Sequence, residues 1–151
     1  MRLVRAIGAF VALPGIAAFA VPLWIAMSAG HHTVRHAALA LALLGLGSVL
    51  LLSCVREFCV AGRGTLAPWD APQHLVTSGP YRFSRNPMYI GVVTILAGWC
   101  TLWESRTLVI YTLLLLTGFH LRVLLYEEPR AAREFRARWR SYRERVPRWL
   151  I

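Results

Sequence analysis

The stretch Leu75–Gly91, LVTSGPYRFSRNPMYIG, decides how this chain is organised, because it places turn-forming and charged residues between strongly apolar segments. Charge and irregular backbone are costly within a membrane and persist where they line a cavity or face a ligand. A second charged element, Tyr126-Glu127-Glu128-Pro129, closes the last apolar segment. We therefore predict a binding site at the place where these two segments meet.

The composition favours a small membrane protein over a soluble one. Hydrophobic residues make up 57% of the 151 residues, whereas an ordinary soluble domain is about 45–50% apolar. The net charge of +10 comes from 17 basic residues, all of them arginine. Because no nucleic-acid-reading motif accompanies this charge, we predict that it faces anionic lipid headgroups and not nucleic acid.

Metal binding is not indicated by the sequence. The three cysteines contain no CxxC pair, which argues against a disulfide scaffold or a cysteine zinc site. His31, His32 and His36 form a cluster that has no acid or cysteine beside it. A polar loop explains such a cluster better than a metal site does, so we predict no metal.

Four apolar segments are each close to the ~20 residues that a helix needs to cross a bilayer. They cover residues 6–29, 37–57, 86–103 and 107–126. The first exceeds the ~7–15 residues of a signal-peptide core, so we predict that it is retained. The sequence therefore predicts an all-α integral membrane protein, a single domain over residues 1–151 with four transmembrane helices.

The placement of arginine predicts the topology. Arg2, Arg5, the loop 61–85 and the arginine-rich tail share one side of an even number of spans, whereas the other side carries only Arg35 and Arg106. The positive-inside rule then places both termini and this loop in the cytoplasm. Since the absence of lysine hints at a GC-rich coding genome, we expect a bacterial inner membrane.

Residues 127–145 are predicted to form a basic amphipathic helix. Apolar residues recur there at spacings of three and four, and arginines fill most of the remaining positions. Such a helix suits the headgroup plane of an anionic membrane. The alternative is a helix that packs on its own domain with a solvated arginine face, and both arrangements can hold together.

Asn86-Pro87 predicts the start of the third span. Asparagine is a good N-cap, and proline is favoured at the first helical position. The free N–H groups of a helix start attract anions, and the turn Thr77-Ser78-Gly79-Pro80 brings Tyr81 back toward it. An ordinary capped helix that binds no ligand is the alternative.

Glu127 and Glu128 can receive a cationic group at the end of the fourth span, or they can pair with arginines of the tail. His120 lies seven residues before Glu127, which predicts that both project from one helix face, with Arg122 roughly opposite. A histidine inside an apolar span is a functional candidate, and a hydrogen-bonded core histidine is the alternative. These features together predict a cavity for a ligand that carries both an anionic and a cationic group.

The motifs resemble those of the isoprenylcysteine carboxyl methyltransferases and their relatives, the phospholipid N-methyltransferases, which are integral membrane enzymes that use S-adenosylmethionine. The resemblance runs from Gly62-Arg63-Gly64-Thr65 through HLVTSGPYRFSRNPMYIG to FHLRVLLYEEP and VPRWL, somewhat more than half of the chain. The combination is specific, although each piece alone is weak. It implies a methyltransferase that acts in the membrane on a hydrophobic or lipidic acceptor.

The resemblance also implies the site residues. The cofactor S-adenosyl-L-methionine would be bound by Gln73, His74, Leu75, Val76, Tyr81, Asn86, Pro87, Met88, Tyr89 and Glu127. The candidate catalytic residues are Arg85, which would order the site, Asn86, and the candidate proton acceptors Glu128 and His120.

Departures from the family pattern leave the acceptor open. Asn86 stands where the isoprenylcysteine enzymes have histidine, and Arg136 and Trp139 stand where many relatives have glycine and tyrosine. Two other functions also stay open. One is an NADPH-dependent membrane reductase resembling the C-terminal part of sterol reductases, and the other is a non-enzymatic membrane scaffold or a small transporter subunit.

Overall fold

The structure, a computed structural model, describes residues 11–28, 36–62 and 74–150. These ranges are helical apart from short connections, and they contain no β-strand. The predicted all-α class is therefore confirmed for the part of the chain that is described. Of the histidine cluster, His31 and His32 lie outside the described residues, and so does Gln73.

The N-terminal half contributes a π-helical stretch and two α-helices within the described residues. A π-helical stretch, Val11–Ala20, runs directly into α1, Val21–Ser28. Helix α2 spans Ala37–Val60 and so extends three residues beyond the predicted end at residue 57. A 3₁₀ turn, Gly79–Arg82, then leads into the C-terminal half.

The C-terminal half is a helical hairpin with a long continuation. Helix α3 spans Pro87–Trp103, and α4, Arg106–Arg122, follows after only two residues. A second π-helical stretch, Val123–Glu127, joins α4 without a break to α5, Glu128–Arg145. The predicted tail helix is therefore a continuation of the fourth apolar segment.

Two helices are long and apolar enough to cross a membrane. They are α2 and the continuous helix Arg106–Arg145, while Pro14–Ser28 and Pro87–Trp103 are apolar but shorter. Only 22% of the most apolar window of α2, and 11% of that of the longer helix, is buried. Apolar side chains left exposed over such a length are typical of a surface that faces lipid. Four membrane crossings stay a prediction.

Helices α2 and α3 pack closely against each other through glycines. A Cβ atom added to Gly47 would lie 2.7 Å from the carbonyl oxygen of Gly91 and 2.7 Å from Cγ1 of Ile95. Small residues of this kind let helix backbones approach closely in membrane proteins. Buried apolar residues continue this contact into a core that consists of Ala18, Leu51, Val92, Ile95 and Leu96.

Helix α5 packs back onto the loop that precedes α3. Trp139, Tyr142 and Val146 form a buried cluster against Leu75, and the Tyr142 hydroxyl donates a 2.7 Å hydrogen bond to the carbonyl oxygen of Tyr81. Burial raises the pKa of the Tyr142 hydroxyl to about 12, so it stays a proton donor at neutral pH. The tail thus packs on its own domain and presents its arginines on the other side.

A kink at Arg136 makes this packing irregular. Arg136 has a φ of 43° and a ψ of −110° inside α5. Positive φ is costly for a residue with a side chain and nearly free for glycine. The glycine that the family resemblance implies at this position is therefore the residue that suits this backbone.

The glycine contact between α2 and α3 predicts a contrast between two alanine variants. Gly47→Ala should lower the free energy of unfolding by about 1–3 kcal/mol, because the added methyl overpacks the contact. Gly45→Ala lies on the same helix with nothing within 4 Å of the added Cβ, and it should raise stability by roughly 0.5–1 kcal/mol. Denaturant unfolding in detergent micelles measures both, and equal effects would contradict the packing described.

The hydrogen bond from Tyr142 predicts a second contrast. Tyr142→Phe removes the buried donor to the Tyr81 carbonyl and should destabilise the fold by about 1–3 kcal/mol. The matched control is Tyr126→Phe, since the Tyr126 side chain is half exposed and its hydroxyl is 3.5 Å from Arg130. The control should change stability by less than about 0.5 kcal/mol. If both variants unfold at the same denaturant concentration as the parent, α5 does not hold the loop in this way.

Candidate functional site

A cavity of about 200 Å³ lies where the loop before α3, the start of α3 and the junction of α4 with α5 meet. Its location coincides with the junction that the sequence predicts. Most of the predicted site residues contribute to its lining, namely His74, Leu75, Val76, Tyr81, Arg85, Asn86, Met88, Tyr89, Glu127 and Glu128. Pro87 is buried at the first position of α3 and is not one of the lining residues.

Part of the cavity lining is apolar and aromatic. Leu75, Val76 and Met88 line it together with Tyr81, whose ring meets Phe58 edge-on at a centroid distance of 5.5 Å. Gly79 makes the preceding turn possible, since its φ is +56° and an added Cβ would lie 2.8 Å from Cγ of Glu57. The Ser78 hydroxyl also donates to the Glu57 carboxylate, which fastens the turn to the end of α2.

Glu127 also lines the cavity, with its carboxylate oriented by two donors. The Tyr89 hydroxyl donates to Oε1 at 2.5 Å, and Arg122 Nε donates to the same oxygen at 2.8 Å. The Tyr89 ring is held by stacking on Phe119 at 4.5 Å between centroids. Because neither hydrogen bond uses Oε2, the carboxylate keeps an oxygen with which to meet a cationic group.

The π-helical stretch explains why Arg122 reaches Glu127. In a π-helix the backbone hydrogen bonds join residues i and i+5, so these two residues come together. The expectation that Arg122 points away from Glu127 and that His120 shares its face is therefore wrong, since both assumed a regular α-helix. The His120 side chain is exposed, its ring is 6.1 Å from that of Trp149, and it is not one of the residues that line the cavity.

Glu128 is held by two arginines from different parts of the chain. Arg148 forms a bidentate pair with it, with Nε 2.9 Å from Oε1 and Nη2 2.8 Å from Oε2. Arg85 Nη1 lies 2.8 Å from Oε1, and the side chains of Arg85 and Glu128 are only 9% and 13% exposed. Burial raises the pKa of the Glu128 carboxyl, but the hydrogen bonds from Arg148 and the charge of Arg85 outweigh it and leave the pKa below its ordinary value.

The segment after α5 closes this side of the site with backbone contacts. The Arg85 backbone N–H donates to the carbonyl of Pro147 at 2.9 Å. Asn86 Nδ2 donates to the carbonyl of Arg148 at 3.0 Å, and the Ser84 hydroxyl donates to the same oxygen at 3.2 Å. These contacts join VPRW, residues 146–149, to the turn motif.

The structure corrects the predicted role of Asn86 at the helix start. Asn86 does immediately precede α3, but its side chain makes no capping hydrogen bond. The amide instead binds the C-terminal segment, and its backbone N–H donates to the Ser84 hydroxyl at 3.1 Å. The side chain is therefore used to close the site, which an N-cap rule applied to the local sequence does not show.

Several lining residues were missed by the sequence reasoning. They are Phe58, Arg122, Tyr126, Arg130, Ala131, Glu134, Phe135, Trp139 and Tyr142. The apolar spacing of the tail leaves two arrangements open, one in the headgroup plane and one packed on its own domain, and in the structure Phe135, Trp139 and Tyr142 line the cavity. Their spacing of three and four residues in the sequence was the signal that could have identified them, on the alternative that the tail packs on its own domain.

The arrangement suits a ligand with an apolar or aromatic part and a cationic part. The described residues contain no group of three or more histidine, cysteine or acidic side chains that could hold a metal ion. His36, the described member of the histidine cluster, has Nε2 3.7 Å from Glu104 Oε1 at the other end of α3.

Comparisons with known proteins identify the family. A family model described as phospholipid methyltransferase matches residues 35–138. Human phosphatidylethanolamine N-methyltransferase is 38% identical over 101 residues, which are 65% of this chain and 49% of that protein. The chain thus spans about half the length of this relative. No solved structure matches the chain. Because this family model matches more than half of the chain, the chain belongs to the phospholipid methyltransferase family.

Proposed function

We propose that the protein is an S-adenosylmethionine-dependent methyltransferase that methylates a lipid acceptor in the membrane. The observation that carries the proposal is the Glu127 carboxylate, oriented by Tyr89 and Arg122 at a cavity whose lining is in part apolar and aromatic. Membership of the phospholipid methyltransferase family supports the same reaction class. The human relative is by its name an enzyme that methylates phosphatidylethanolamine.

The lining residues fit this cofactor chemically. The free oxygen of Glu127 would receive its ammonium group, since a carboxylate and an ammonium form a charge-assisted hydrogen bond. Leu75, Val76, Tyr81 and Met88 would hold its adenosine part by apolar and aromatic contact. S-Adenosylmethionine supplies an electrophilic methyl group when it is bound. Gln73 and Pro87 stay predicted contacts of this group.

The protein's part in methyl transfer is to align the acceptor and to exclude water. Transfer from a sulfonium is an in-line displacement, for which correct orientation removes much of the barrier. The apolar lining and the Tyr89 ring, on which Phe119 stacks, would keep water from a bound sulfonium. No covalent intermediate on the protein is needed.

Of the predicted catalytic residues, Glu128 serves best as an organiser of the site. Its pKa is lowered by two arginines, which makes it a weak proton acceptor at neutral pH. Arg85 and Asn86 belong to the same organising network through Glu128 and the Arg148 carbonyl. His120 lies beside Trp149 and is not assigned to proton transfer.

The membrane arrangement that fits this function has four crossings, with both termini in the cytoplasm of a bacterial inner membrane. The arginine distribution supports it, because the cavity lies at the arginine-rich ends of the helices. The exposed arginine face of α5 would meet anionic headgroups. The cofactor would enter from the cytoplasm and the acceptor from the lipid.

Binding of S-adenosylhomocysteine, the demethylated cofactor, tests the proposal. We expect the purified protein in detergent micelles to bind it in a calorimetric titration and not to bind NADPH. Glu127→Gln should weaken this binding about tenfold or more, the usual effect of losing one charge-assisted hydrogen bond. The matched control, Glu144→Gln, makes the same chemical change at an exposed position of α5 and should bind like the parent.

Two results would contradict the proposal. A folded protein that does not bind S-adenosylhomocysteine would exclude it, and binding of NADPH in its place would favour the reductase. If Glu127→Gln and Glu144→Gln bound the cofactor product equally well, the assignment of Glu127 would be wrong.

A further inference from the structure

A second cavity, of about 530 Å³, is lined by residues of α5 alone and is separate from the candidate site. This volume is far above the ~30 Å³ that one water molecule occupies in the liquid, so the cavity has room for a ligand larger than a bare ion. Of the described residues that line it, three are arginines and none is acidic. The lining residues are Ala132, Arg136, Ala137, Trp139, Arg140 and Arg143.

The three arginines of this cavity have no counter-ion in the described chain. Their side chains form no hydrogen bond or ion pair within the described ranges. Glu144 follows Arg140 by four residues, a spacing at which ion pairs form on a helix, yet these two side chains form none there. The carboxylates of Glu128 and Glu134 are paired with other arginines. Three positive charges therefore share one cavity, and an anionic ligand would reduce their mutual repulsion.

Arg136 keeps its guanidinium at this cavity at a cost in backbone conformation. Its φ of 43° inside α5 is a conformation that glycine adopts readily and that strains a residue with a side chain. Strained residues of this kind cluster at ligand sites, where other interactions compensate the strain. The backbone of Arg136 is thus a second observation, independent of charge, that indicates a ligand at this cavity.

Phosphate is the anion that this lining suits best. The N–H donors of a guanidinium group form a planar fork that matches two phosphate oxygens. Several guanidinium groups can share one phosphate, because its oxygens point in different directions, whereas a carboxylate offers two oxygens in one plane. Three arginines at one cavity therefore favour a phosphate over a carboxylate.

The position of the cavity favours a phosphate that belongs to a membrane lipid. Trp139 lines both cavities, and its ring centre lies 5.6 Å from the guanidinium carbon of Arg85, which precedes the first residue of α3 by two positions. The second cavity therefore lies near the start of an apolar helix, which is the level of the headgroups in a bilayer. Anionic headgroups attract arginines at this level.

We propose that Arg136, Arg140 and Arg143 form a discrete binding site for the phosphate of an anionic phospholipid. The lipid bound here is not the methyl acceptor, which the first cavity would receive. General attraction between a basic tail and an anionic membrane involves every exposed arginine, whereas this site involves three. The inference goes beyond the proposed function and does not depend on it.

Titration of the full chain in detergent with short-chain probes tests the site. Dihexanoyl phosphatidylglycerol is compared, below its aggregation limit, with dihexanoylglycerol, which lacks the phosphate, and with inorganic phosphate. The ionic strength is set to about 0.15 M, at which exposed charges more than about 8 Å apart are largely screened. We expect phosphatidylglycerol to bind about tenfold more tightly than either of the other probes, because only it combines the phosphate with apolar chains.

A pair of glutamine variants distinguishes the site from the general charge of the tail. Arg140→Gln should weaken the binding of phosphatidylglycerol about tenfold, as loss of one charge-assisted contact does. The matched control is Arg138→Gln, which removes the same charge from an exposed residue of the same helix that does not line the cavity. This control should bind phosphatidylglycerol like the parent.

Arg136→Gly separates a ligand-binding role from a structural one. Glycine suits the positive φ, so this variant should unfold at a higher denaturant concentration than the parent. It should also bind phosphatidylglycerol about tenfold more weakly, because one guanidinium group is lost. Since the variant is expected to be more stable, weaker binding could not be attributed to unfolding. Higher stability with unchanged binding would contradict the proposal.

Three further results would overturn the proposal. If Arg138→Gln weakens binding as much as Arg140→Gln does, the lipid follows the overall charge of the tail and there is no discrete site. If inorganic phosphate binds as tightly as phosphatidylglycerol, the ligand is a free phosphate and not a lipid. Equal binding of dihexanoylglycerol would show that the phosphate is not recognised. These measurements decide the proposal whether or not the protein binds S-adenosylhomocysteine.

Discussion

The buried ion pairs of Glu128 are the interaction on which the rest of the site depends. They join three parts of the chain that are distant in sequence, namely the loop before α3 through Arg85, the end of the helical hairpin through Glu128 itself, and the C-terminal segment through Arg148. Exposed ion pairs contribute little to stability, but a carboxylate buried to this degree would be strongly destabilising without its partners. The cavity therefore exists only while all three segments are in place.

The π-helical stretch Val123–Glu127 is the second constraint, because it lets adjacent glutamates serve one cavity. Neighbouring residues of a regular α-helix point about 100° apart. Here the π-helical hydrogen bonding brings Arg122 to Glu127, whereas Glu128 pairs with Arg85 and Arg148. Such π-helical turns occur often at functional sites. The two carboxylates are thus separated in role: one faces the cavity with a free oxygen, and the other holds the walls together.

Much of this could be predicted from the sequence, where the signals are local. Apolar segments showed the helices, Asn86-Pro87 marked the start of α3 to within one residue, and two charged motifs located the cavity. What could not be predicted depends on geometry between distant segments. The amide of Asn86 was assigned to a cap because the acceptor on Arg148 is 62 residues away, and His120 was placed on the wrong face because a π-helical turn has no signature in the residue spacing. The positive φ of Arg136 could not be predicted either, because the arginine spacing of the tail indicates a regular helix.

Glu128 and Arg148 act as one unit that closes the site. A double-mutant cycle with Glu128→Gln and Arg148→Gln, measured by denaturant unfolding in detergent, tests it most directly. We expect a coupling free energy of about 1.5–3 kcal/mol, in the range of hydrogen bonds between charged groups, and a double variant hardly less stable than either single one. Additive effects, with a coupling below about 0.5 kcal/mol as for an exposed pair, would contradict it.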